Sequence, residues 1–173
     1  MPTARRTRTI AAPADELWQT IRDPHHLPRW WPRVSRVEDV TEDAFTEVLS
    51  TSGGKSVRAD FTLVESDEYD RRLRWAQRVE GSPFARLLKS AETEVWLRDA
   101  AGVAGARTDY PSAAGEDRPE GPQAPRGGNG TEVTIELRQS LNGFFSRFGG
   151  YMVKRAAANT IEEALDGLER IGG

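Results

Sequence analysis

The chain has 173 residues, no cysteine and a formal net charge of −3 at pH 7. Its length fits one domain, and the lack of cysteine excludes disulfides and cysteine-ligated metal centres while fitting a reducing cytoplasm. The negative balance argues against non-specific nucleic-acid binding, and no apolar stretch approaches the ~18 residues of a membrane-spanning helix, so we expect no stable membrane insertion.

The first 32 residues predict a strand followed by two short helices. Residues 3–10 alternate weakly, as a first strand does, and Pro13 then suits the first position of a helix. An apolar stripe follows on that helix: Leu17, Trp18 and Ile21. Pro24 ends the helix, because its ring disfavours helical geometry at the residue before it. The proline-bracketed stretch that follows allows only a second short helix or turn.

The central part of the chain changes to a period of two, which predicts antiparallel strands. Six stretches show this period: Val34–Val40, Phe45–Ser50, Val57–Val64, Leu73–Val79, about Ala91–Asp99, and Thr131–Leu141. In the third, Ala59 and Phe61 point one way while Arg58 and Asp60 point the other, which is the pattern of a strand with one buried face.

Residues 100–130 are rich in Gly, Pro and Ala and hold almost no large aliphatic side chain. Such a segment buries too little surface to offset its ordering entropy, so it predicts a flexible low-complexity loop. The loop separates the last two strands, and neither flank has a complete core alone. We therefore predict a single domain over residues 1–173.

The closing segment, about Phe144–Ile171, returns to a helical period and predicts one long amphipathic helix. Gly149 and Gly150 lie inside this segment and lower its helix propensity by roughly 1 kcal/mol each. We therefore expect a bend or a close backbone contact at this pair.

The stretch from Ala12 to Pro32, the strands and the long final helix together resemble the START-like (SRPBCC, helix-grip) superfamily. Within it they are most similar to bacterial polyketide cyclase/dehydrase-like and lipid-transport-like proteins. The resemblance covers nearly the whole chain except residues 100–130. It implies an α+β helix-grip fold, in which a curved antiparallel sheet of about seven strands wraps around the C-terminal helix, with two short helices after the first strand. It also implies a cavity between sheet and helix.

Candidate ligand-binding residues combine the apolar faces of the entrance, sheet and helix with a few polar groups, as ligand pockets do. They are Trp30, Trp31, Phe61, Leu63, Trp75, Gln77, Asn142, Phe145, Phe148, Met152 and Arg155. The apolar members fit a packed core equally well.

Arg155 lies one helical turn from Met152 and from Asn159, so we predict that these three side chains share a face. There Arg155 fits either an anionic head group or solvent. His25 and His26, the only histidines, fit a solvated loop, with a general base at the cavity mouth as the alternative. No catalytic motif, metal site or cofactor motif is predicted.

The sequence therefore predicts binding, sequestration or transport of a hydrophobic small molecule, lipid-like or polyketide-like, in the cavity. The alternative is a cyclase or dehydratase type of enzyme acting on an aromatic or polyketide substrate in the same place. A third interpretation, an adaptor that binds a partner protein through the sheet exterior or the loop, has only the length of the loop in its favour. The sequence leaves the oligomeric state open.

Overall fold

The computed structural model describes residues 2–100 and 130–172, without the side chains of Phe144 and Phe148. The strands are β1 Thr3–Ile10, β2 Val34–Glu38, β3 Ala44–Ser50, β4 Ser56–Asp67, β5 Arg72–Gln77, β6 Leu88–Asp99 and β7 Thr131–Leu141. The helices are α1 Ala14–Arg22, α2 Leu27–Trp30, α3 Gly143–Phe148 and α4 Gly150–Gly172, with 3-10 turns at Pro24–His26 and Pro83–Arg86. Apart from its end residues Ala100 and Gly130, the predicted loop lies outside the described residues.

The seven strands form one antiparallel sheet in the order β1-β7-β6-β5-β4-β3-β2. From β2 to β7, each strand pairs with the next strand along the chain. Strand β1 pairs with β7 and forms one edge of the sheet. The ladder shifts register within β4, between Leu63 and Glu65, and such irregularities bend a strand and increase its twist. The predicted α+β architecture, with a curved seven-stranded sheet and a long C-terminal helix, is confirmed.

The two faces of the sheet differ in chemistry, as the period of two predicts. On β5, Leu73 and Trp75 are buried on the concave face, and Arg72 points to the other side and pairs with Glu94 of β6. Glu94 also accepts a hydrogen bond from Arg138 of β7 at 2.8 Å. The convex face is therefore covered by cross-strand ion pairs, and the apolar face is left for the helices.

Helix α4 packs onto the concave face through a buried stripe: Ala157, Ile161, Ala164, Leu165 and Leu168. Gly167 permits a close approach of α2, because a Cβ atom at this position would lie 2.4 Å from the carbonyl oxygen of Trp30. At the opposite edge Arg8 of β1 donates to Asp166 at 2.5 Å and to Glu162 at 2.6 Å. The C-terminal half of α4 is thus fixed from both sides.

The segment predicted as one helix with a bend forms two helices that meet at Gly149. The Gly149 N–H donates to the carbonyl oxygen of Phe145 at 2.8 Å, and a Cβ atom at Gly149 would lie only 2.7 Å from that oxygen. The close backbone contact expected at this glycine pair is therefore present, and the long helix begins at Gly150 rather than at Phe144.

Candidate functional site

A cavity of about 330 Å³ lies between the concave face of the sheet and the N-terminal half of α4. We call it the inner cavity. Its apolar lining includes Leu49, Ala59, Phe61, Trp75, Leu88, Leu137, Val153 and Ala157. Its polar lining consists of Arg33, Glu47, Gln77, Thr93, Gln139 and Thr160.

Glu47 brings a carboxyl group into this apolar lining. It lies on β3 between Phe45 and Leu49, which strand geometry directs to the same face. The residue is 2% exposed, and its Oε1 atom is buried without a hydrogen-bond partner among the described residues. Directly opposite on β4 is Ala59, whose methyl group offers neither donor nor acceptor.

Burial decides the ionisation of this carboxyl. Removal from water disfavours the charged form and raises the pKa of Glu47 to about 8. Glu94 is the other deeply buried glutamate of the described chain. Unlike Glu47, it forms ion pairs with Arg72 and Arg138 on the convex face. Glu47 is therefore neutral at pH 7, and its proton is available inside the cavity.

Two glutamines add polar groups to the floor of the inner cavity. Gln77 pairs in register with Phe61, and Gln139 pairs with Ala91. Both side chains are partly buried, and both line the inner cavity together with Glu47. The site therefore combines a largely apolar wall with a few amide, hydroxyl and carboxyl groups, which is the usual composition of a small-molecule site.

A cluster of aromatic rings fills the middle of the groove. The ring of Trp75 meets Trp31 edge to face at 5.8 Å and Phe45 at 6.5 Å between centroids, and Phe45 stacks on Phe61 at 5.3 Å. Beyond the cluster lies a second cavity of about 530 Å³, beneath α1 and the 3-10 turn that follows it. Trp75 lines both cavities, so its indole is a shared wall.

The two histidines lie near the second cavity and have different surroundings. His25 is exposed, and its Nδ1 atom lies 2.9 Å from an Asp23 oxygen. His26 lines the second cavity, with its Nδ1 atom buried and without a partner in the part of the chain that the structure describes. The predicted place at a cavity mouth therefore fits His26 better than His25.

The structure brings five of the predicted ligand-binding residues to a cavity. Trp31, Phe61, Trp75 and Gln77 line the inner cavity, and Leu63 and Trp75 line the second. Trp30 is fully buried in the core, although its indole Nε1 has no partner among the described residues.

Four further predicted site residues lie away from both cavities. The amide of Asn142 donates to the carbonyl oxygens of Ala85 at 2.6 Å and Leu88 at 3.1 Å, so it holds the start of β6 instead of a ligand. Phe145 is 46% exposed, Met152 is 72% exposed, and Arg155 is also exposed. The side chain of Phe148, predicted in the same group, lies outside what the structure describes.

The position of Met152 explains why the helix prediction misplaced these side chains. The inward stripe of α4 runs back from Ile161 through Ala157 to Val153 in steps of four, so Met152, one residue earlier, points about 100° away. Met152 and Arg155 do share a face, as predicted, but that face is directed to solvent.

Comparison with known proteins gives the chain a family. The model of the family described as polyketide cyclase/dehydrase and lipid transport matches residues 1–107. No curated protein sequence matches the chain.

Solved structures share the fold at low sequence identity. A START superfamily protein from Mycobacterium smegmatis is 14% identical with a TM-score of 0.67, over 98% of this chain and 96% of that one. The ZhuI aromatase/cyclase from Streptomyces sp. R1128 is 12% identical with a TM-score of 0.66, over 98% and 92%. The di-domain aromatase/cyclase BexL of the BE-7585A biosynthetic pathway is 16% identical with a TM-score of 0.68, over 98% and 46%. With the family model matched over more than half of its residues, the chain belongs to the polyketide cyclase/dehydrase and lipid transport family.

Proposed function

We propose that the protein binds, and thereby sequesters or transports, a hydrophobic small molecule in the inner cavity. The observation that carries the proposal is the space itself, which lies between an apolar sheet face and α4 and is lined by a carboxyl whose buried Oε1 atom has no partner among the described residues. A well-packed core leaves few voids larger than a water molecule, so a space of this size needs a separate explanation.

The size and lining of the cavity support a compact ligand. Its volume of about 330 Å³ is at the lower end of the ~300–1,000 Å³ range of ligand pockets. It equals the bulk volume of about eleven water molecules at ~30 Å³ each. The rings of Phe61 and Trp75 favour a flat apolar guest, since aromatic faces stack on planar ligands.

Displacement of a fluorescent probe tests this proposal. We expect N-phenyl-1-naphthylamine, a neutral apolar dye, to bind with enhanced emission and to be displaced by compact aromatic ketones. The Ala157→Phe variant places a ring into the inner cavity and should abolish binding. Asn159→Phe, which places the same ring at an exposed position of α4 that lines neither cavity, is the control. Absence of dye binding, together with native mass spectra of the bare chain alone, would refute the proposal.

A cyclase or dehydratase activity is the second candidate function, and Glu47 is the observation that favours it. A carboxyl with a pKa of about 8 is protonated at pH 7, and its pKa lies near the operating pH, as the best general acids require. The ZhuI and BexL structures, which share the fold, are named as aromatase/cyclases.

Dehydration of a β-hydroxyketone that carries a naphthyl group tests the enzyme. Loss of the hydroxyl group as water, together with an α-hydrogen, forms a conjugated enone with a measurable absorbance. We expect Glu47→Gln to lose the activity and Arg155→Gln to keep it, since the Arg155 side chain is exposed and lines neither cavity. An equal rate in wild type and in the Glu47→Gln variant would eliminate Glu47 as the acid.

A further inference from the structure

The surroundings of Glu47 restrict the chemistry of the ligand. Among the residues that the structure describes, Arg33 is the only other charged side chain that lines the inner cavity, and it is exposed at the rim. No ion pair joins Arg33 to Glu47 in the structure. Helix α4 contributes only apolar side chains and the hydroxyl of Thr160 to the lining, and strands β4 to β7 contribute no charged group.

A neutral carboxyl in this setting has an unused hydrogen-bond donor. A protonated carboxyl carries one O–H donor, and a buried donor without a partner is unfavourable by about 1–3 kcal/mol. The facing residue on β4 is Ala59, so the strand opposite leaves the group unsatisfied. A ligand that supplies an acceptor oxygen at this point therefore removes an existing penalty.

The alternative complement, a ligand cation, fits the site less well. Forming a buried carboxylate–ammonium pair requires both charges to leave water, and the described part of the lining offers no second carboxylate to share the cation. The positive charge of Arg33 at the rim also disfavours the approach of a cation.

We infer, on the basis of the proposed binding function, that Glu47 donates a hydrogen bond that selects apolar ligands carrying a neutral acceptor oxygen, such as a ketone or quinone carbonyl. The carbonyl end of the ligand lies against β3, and its ring system occupies the space between Phe61, Trp75 and α4. The ligand class is thus a compact, planar carbonyl compound rather than a plain hydrocarbon or an amine.

Three probes of nearly equal shape test this inference by calorimetry: acetylnaphthalene, isopropenylnaphthalene and naphthylethylamine. The first two differ only in a carbonyl oxygen replaced by a CH₂ group. We expect the wild-type protein to prefer the ketone about tenfold at pH 6.5, as one satisfied hydrogen bond predicts. This preference should decrease above about pH 8, as the carboxyl ionises.

Substitutions at Glu47 separate the donor from the shape of the site. Glu47→Met removes the donor at similar length and should bring the ketone-to-alkene ratio close to one. Glu47→Gln keeps an N–H donor and should keep the preference, now unchanged up to pH 9. Glu163→Met makes the same substitution at an exposed glutamate of α4 that lines neither cavity, and this control should leave the ratio as in the wild type.

The outcomes distinguish this inference from the proposed function. Binding of ketone and alkene with equal affinity would overturn the role of Glu47 and leave the binding function intact. Preference for the amine, increasing with pH, would overturn the proposed hydrogen bond from Glu47 and indicate a cationic ligand instead. Failure of all three probes to bind would remove the binding function and this inference together.

Discussion

Replacement of Glu47 by glutamine should stabilise the protein at neutral pH, because the amide has no proton equilibrium. Burial raises the pKa of Glu47 to about 8 from an ordinary value of 4.5, so the folded state holds a proton that the unfolded chain releases. The resulting stabilisation is fully present below about pH 4.5 and is lost as the pH rises through about 8.

The size of the effect follows from proton linkage at ~1.4 kcal/mol per pKa unit. Relative to pH 4.5, the wild-type protein should lose about 3 kcal/mol of unfolding free energy at pH 7 and roughly 4 kcal/mol at pH 8 through this group. Other carboxyl groups titrate in both proteins. The informative quantity is therefore the free energy of unfolding of Glu47→Gln minus that of the wild type.

Urea denaturation followed by tryptophan fluorescence measures this difference at each pH. We expect it to be smallest at pH 4.5 and to grow steadily towards pH 8. Glu163→Gln, at an exposed glutamate of α4, is the control, and its difference should stay constant. A Glu47→Gln difference that changes by less than about 0.5 kcal/mol over this range would refute the argument that burial keeps the carboxyl neutral.

Three further substitutions test the packing around the two cavities. Gly167→Ala should lower the free energy of unfolding by more than about 2 kcal/mol in urea denaturation, because the new methyl group overlaps the backbone of Trp30. Gly150→Ala is its control and should not destabilise the protein, because the space around Gly150 is open. Trp75→Ala should lower the free energy of unfolding by about 3–5 kcal/mol and yield one continuous cavity in a crystal structure; two separate cavities would contradict the shared wall. Met152→Ala should leave dye affinity unchanged within twofold, and a larger loss would place Met152 in the site after all.

The fold could be predicted from the sequence because its signals are local and agree with one another. On β5, apolar Leu73 and Trp75 alternate with charged Arg72, and this period of two indicates which face of the strand is buried. Pro24 indicates where α1 ends. Several strand ends differ from the predicted bounds by up to three residues. The paired glycines hid the break between α3 and α4, since low helix propensity does not say whether a helix bends or stops.

The site was harder to predict because it depends on positions where the local pattern is ambiguous. On β3 the alternation is unclear, since Phe45, Val48 and Leu49 are all apolar, so the spacing alone does not decide which face of the strand is buried. The available signal was the single charged residue between Phe45 and Leu49 on one strand face. On α4, a shift of one residue in the predicted inward-facing stripe decides whether Met152 is assigned to the cavity or to solvent, and the structure places it in solvent.

The position of the Trp75 indole, between the inner cavity and the second cavity, would couple two guests if both spaces were filled. Because one side chain bounds both spaces, a guest that pushes the ring aside in one compartment reshapes the other. Thermodynamic reciprocity then requires that the second compartment, when filled, changes the affinity of the first by the same factor.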